Sequence, residues 1–169
     1  NDKKVGKLKF YLNKIKRFVD YKIEKNSFDF HIFDKIDQPD FSYKGNFNFK
    51  PFYANLKGKS AEINLNYLFG SNAIVEQLLK TEIFNNKNIN FKLNINADSV
   101  YRNSNIKNIK LNSKIQDGFI DADNTKFEWR NFANFELFES LIFVRDGELV
   151  LDGKLKINIK DYKEIYKFL

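Results

Sequence analysis

The stretch Leu149-Val150-Leu151-Asp152-Gly153-Lys154-Leu155-Lys156-Ile157-Asn158-Ile159 decides the fold. Leu149, Leu151, Leu155, Ile157 and Ile159 occupy alternate positions, with Val150, Asp152, Lys154, Lys156 and Asn158 between them. A period of two puts the first set on one face of a β-strand and the second set on the other. Gly153 marks a bend or bulge inside the run.

The same alternation spreads outward through most of the chain. Phe91, Leu93, Ile95 and Ala97 alternate with Lys92, Asn94 and Asn96, and Ile109, Leu111 and Ile115 with Lys110, Asn112 and Lys114. Phe28, Phe30 and Ile32 alternate with Asp29 and His31, and Phe41, Tyr43, Phe47 and Phe49 with Ser, Lys and Asn. Asp37-Gln38-Pro39-Asp40, Asp117-Gly118, Asp123-Asn124 and Asp146-Gly147 supply turns. The pattern predicts a mainly β protein with minor α: an antiparallel meander, apolar on one face and Lys/Asn-rich on the other. A second sheet, helices, the rest of the protein or a ligand must cover the apolar face.

Two segments break the alternation. Ile74, Val75, Leu78 and Leu79 behind Gly70-Ser71-Asn72 predict a short helix near 72–80. Leu8, Tyr11, Leu12, Ile15, Phe18, Val19 and Ile23 form a helical stripe with lysines around it, which predicts a basic amphipathic helix over residues 1–26. The competing reading there, a short strand over residues 8–12, loses its alternation at Asn13-Lys14. The β domain then runs from 27 to 169. Asp161 and Glu164 have capping-box spacing and open a last helix. The chain holds no Met and no run near the ~20 apolar residues that cross a bilayer, and we expect it to be a fragment of a longer protein.

Composition removes whole classes of chemistry. Without cysteine there are no disulfides, thiolate zinc sites, iron–sulfur clusters or cysteine nucleophiles. His31 is the lone histidine, and it lies on the strand face opposite the phenylalanines. Asp121 and Asp123 share a strand face and Glu136 and Glu139 lie close in sequence, yet nothing suggests the burial that paired catalytic carboxylates need. No P-loop or GxGxxG string occurs. The reading is of a non-enzyme without cofactor or metal. The net charge of +7 falls wholly within residues 1–60. Lys9, Lys14, Lys16 and Arg17 are therefore candidates for contact with an anionic surface.

One resemblance sharpens this. Tyr43-Lys-Gly-Asn-Phe-Asn-Phe-Lys-Pro-Phe52, Phe91-Lys-Leu-Asn-Ile-Asn-Ala97, Ile106-Lys-Asn-Ile-Lys-Leu111 and the run from Asp146 to Asp161 resemble the C-terminal β repeat region of AsmA-like, TamB-type envelope proteins of Gram-negative bacteria. The likeness covers residues 40–169 and rests on soft motifs with no catalytic residue among them. It implies a long curved antiparallel sheet, open like a taco. It also implies a periplasmic location, with an inner-membrane anchor outside this segment and neighbouring repeats of the same chain. The implied role is phospholipid transport or outer-membrane biogenesis. Phe91, Leu93, Ile95, Ile109, Leu111, Ile115, Leu149, Leu151, Leu155, Ile157 and Ile159 are the residues expected to line a trough for phospholipid acyl chains. The alternatives are a structural β module with a closed core that mediates protein–protein contacts and, ranked lower, a nucleic-acid-binding sheet that stacks bases on its Phe and Tyr.

Overall fold

The computed structural model describes residues 3–12, 14–66, 77, 81, 86, 88–116, 119–146 and 148–167. Among them, strands β1 (Lys4–Leu12), β2 (Ile15–Glu24), β3 (Ser27–Phe33), β4 (Ser42–Phe49) and β5 (Phe52–Ile63) form a run of antiparallel neighbours. Strands β6 (Asn90–Val100), β7 (Asn103–Gln116), β8 (Phe119–Asp121), β9 (Lys126–Trp129), β10 (Ala133–Arg145) and β11 (Glu148–Ile159) continue it. A short helix, α1 (Tyr162–Tyr166), follows. The strands build one sheet in the order β1-β2-β3-β4-β5-β6-β7-β8-β10-β11, with β9 bonded to both β7 and β10.

Two expectations change. Strands β5 and β6 pair in parallel, whereas the meander predicts antiparallel neighbours throughout. A parallel pair needs a crossover of a dozen or more residues, and the chain from 64 to 89 supplies that length. The helix expected near 72–80 falls in this crossover, where Gln77 is the one described residue of that range; it is helical and its carbonyl accepts from the Thr81 amide at 3.1 Å. The rest of the expected helix lies outside the described residues.

The basic helix expected over residues 1–26 is instead the hairpin β1–β2. Lys14, at φ 65°, turns the chain. The helical stripe merges residues from both faces of a hairpin: Leu8 pairs with Val19, while Tyr11 pairs with Lys16 on the other side. The period-two set Ile15, Arg17, Val19, Tyr21 and Ile23 runs through β2, and pairing with β3 satisfies the backbone groups of that strand. Tertiary pairing therefore overrides a weak local pattern.

Helix α1 forms as its spacing predicts. The Asp161 carboxylate accepts from the Glu164 amide at 3.1 Å, satisfying one orphan donor of the first turn.

The sheet is a single layer among the described elements. Extensive contacts between elements run only between hydrogen-bonded neighbours, and β1 does not pair with β11, so the sheet is not closed into a barrel. Burial is graded across it. Ile95, Ala97 and Ile109 in the middle are 3–6% exposed, whereas Leu8 on β1 and Leu151 on β11 are more than half exposed.

Candidate functional site: one apolar sheet face

The register gathers apolar side chains from distant strands into rows. One row runs Ile23, Phe28, Phe47, Ala54, Phe91, Ile115, Ile120, Ile142 and Leu151, each the direct partner of the next. Direct partners share a face, so this row crosses nine strands without a polar residue. At ~4.8 Å per strand its span is about 38 Å. A parallel row runs Leu8, Val19, Ile32, Tyr43, Gly58, Ile95 and Leu111. Near the end of the sheet, Ile157 pairs with Phe135 and Phe135 with Phe127. The Phe127 and Phe135 rings stack at 4.7 Å.

Aromatic rings shelter the glycines of this face. A Cβ on Gly45 would meet the Phe30 ring at 2.2 Å, and one on Gly58 would meet Tyr43 at 2.3 Å. Phe28, Phe30 and Phe47 stack on one another with centroids 5.7–6.3 Å apart. Aromatic neighbours laid over glycine keep the wall continuous where a side chain is missing.

The opposite face carries charge and amides. Lys22, Asp29, Asn46, Asn55, Lys92, Lys114 and Asp121 form one row of it. Asn94 donates to Asn112 at 2.7 Å. Lys126 pairs with Glu136 at 2.7 Å. Glu128 is held below its ordinary value first by Lys160 and then by Asn108. His31 lies on this face, 2.9 Å from the Ser42 hydroxyl, and burial lowers its pKa, helped by the Lys44 charge. Two hollows, of about 150 and 330 Å³, are lined mainly by Lys, Asn and acidic residues of this face.

Apart from Leu149, the residues expected to line a trough fall on the apolar face. Phe91, Leu93 and Ile95 pair with Ile115, Ser113 and Leu111, and Ile109 pairs with Ala97. Leu151, Leu155, Ile157 and Ile159 share one side of β11 and are about half exposed. The Leu149 backbone pairs with Val144, and its side chain lies outside the described residues. Sequence reasoning read the alternation of β3 and β4 without counting them in the trough, and it missed β2. The alternation through Ile15–Ile23 was the signal that could have found that strand.

The four expected anion contacts do not form one cluster. Lys9 and Lys16 meet on the polar face, where hydrogen bonding to Lys9 and its charge push the Lys16 ammonium below its ordinary value. Lys14 sits at the hairpin turn. Arg17 points to the apolar face, opposite Phe10, and is only 9% exposed.

The chain matches no known family model, no curated protein and no solved structure.

Proposed function

We propose that this chain is a segment of an AsmA-like envelope protein of a Gram-negative bacterium. In this reading it sits in the periplasm and holds or conducts phospholipid acyl chains along its apolar sheet face. The observation that carries the reading is the unbroken nine-strand apolar row from Ile23 to Leu151, exposed at its ends (Ile23 40%, Leu151 54%) and buried at Ala54, Ile115 and Ile120 in its middle. Each methylene moved from water onto such a wall gains ~0.8 kcal/mol, so one acyl chain gains on the order of 10 kcal/mol gross. Adaptable hydrocarbon contact needs no specific chemistry, which fits a wall of Phe, Ile and Leu. The polar face supplies solubility. The outer edges of β1 and β11 are where neighbouring repeats of a longer chain would add strands.

Gentle extraction followed by native mass spectrometry tests the proposal. Phospholipid adducts that survive mild activation are the expected result. A chain that emerges bare, and stays bare after incubation with phospholipid vesicles, overturns it.

A further inference from the structure

Arg17 is out of place on its own face. It lies on β2 between Ile15 and Val19, across from Phe10. Its guanidinium carbon stands 4.3 Å above the Phe41 ring, and the residue is nine-tenths buried. Its polar atoms are poorly served. One terminal nitrogen reaches the Lys16 carbonyl at 3.5 Å, the limit of a hydrogen bond, and the buried Nε has no partner. No ion pair among the described residues includes Arg17.

A guanidinium stays charged at any physiological pH and presents five donors in a planar fork. Burying it without an anion is costly, and burying it against hydrocarbon more so. The Phe41 stack satisfies the cation's face, while the buried Nε on its edge is left without a partner. That edge fits two oxygens of a phosphate or carboxylate, the bidentate geometry in which arginine excels. The surrounding wall is apolar. A ligand that satisfies both must join an oxyanion to a hydrocarbon tail.

We infer that Arg17 is the headgroup anchor of the trough: its guanidinium edge holds the phosphate of a phospholipid whose acyl chain lies along the apolar face. The inference rests on the acyl-chain reading above and adds the polar end of the ligand to it. It commits to a phosphate carried by a lipid, and free phosphate is a separate arm of the test.

The test uses phosphatidic acid and diacylglycerol with the same acyl chains, offered to the wild-type protein and to Arg17→Gln, with binding read by native mass spectrometry. The wild type is expected to retain phosphatidic acid about tenfold or more better than diacylglycerol. Arg17→Gln is expected to lose that preference while its diacylglycerol retention stays unchanged. A preference that survives in Arg17→Gln overturns the anchor and leaves the trough standing. Retention of neither lipid by the wild type overturns both. A second readout needs no variant. Labelling with ¹⁵N follows the Arg17 Nε–H resonance, which is expected to move with phosphatidic acid and not with diacylglycerol. An unmoved resonance overturns the anchor. So does an equal movement with inorganic phosphate alone, which would make the site one for a free ion.

Discussion

Gly153 on β11 lies against Ser140 on β10, so close that a Cβ added to it would stand 2.7 Å from the Ser140 Cβ and 2.8 Å from its Cα. The register gives the cause. Phe138 pairs with Lys154 and Leu141 with Asp152, so Glu139 and Ser140 together oppose the single residue Gly153. Glu139 takes φ 49° to make this bulge. A bulge adds local twist and bends its strand. Gly153→Ala drives a methyl group into backbone that cannot swing aside, and is predicted to cost about 1–3 kcal/mol. At Gly6 the added Cβ meets the far end of the Tyr21 ring, which can rotate away. Gly6→Ala is therefore predicted to cost less. Urea denaturation of both variants decides, and a Gly6→Ala cost equal to or above that of Gly153→Ala contradicts the account.

Asp123 fastens the same bulge. Its carboxylate accepts from the Ser140 amide at 2.7 Å and the Ser140 hydroxyl at 2.8 Å. These two bonds, the amide first, hold its pKa below the ordinary 3.8. A carboxyl whose pKa is lowered by folding stabilises the fold above about pH 4, and that contribution is lost as pH falls through the lowered value. Asp123→Asn is expected to lower the urea midpoint at neutral pH and to flatten its decline below about pH 4. An acid decline in Asp123→Asn as steep as in the wild type would remove Asp123 from this role.

The hairpin β1–β2 makes its own prediction for amide exchange. Strand β2 is bonded on both sides, so its amides are expected to exchange slowly along its length. Strand β1 is an edge of the sheet, so about every second amide is expected to be protected, those that face β2. Hydrogen exchange read residue by residue by NMR separates this from a helix, in which protection past the first turn is continuous.

Much of this architecture was legible because a one-sided sheet writes its period into the chain. In β11 and β6 the apolar and polar sets separate cleanly, and each face could be assigned before any register was known. The hairpin β1–β2 was not legible for a physical reason. Its apolar residues occur on both faces, as Phe18 stacking on Phe33 opposite the main wall illustrates, and folded into one period they imitate a helix. The parallel β5–β6 pair was hidden because alternation reports a strand's faces and is silent about its direction. Arg17 was read as one more lysine-like charge, since only the register reveals that it shares a side with Ile15 and Val19. The role of Gly153 was half visible: the sequence places a bulge at the glycine, whereas the extra residue lies on the partner strand and the glycine makes room for it.

The central claim is that lipid lies on one face of this sheet and not on the other. Leu155 and Lys156 are adjacent on β11 and point to opposite faces, paired with Leu137 and Glu136 respectively. Both are exposed, so neither site needs a buried group to be replaced. A photo-reactive phenylalanine analogue placed at each position in turn, irradiated in the presence of phospholipid vesicles and read by mass spectrometry, tests the claim directly. The account predicts phospholipid adducts at position 155 and few or none at 156. Equal labelling at both positions, or adducts at 155 to protein alone, would contradict it.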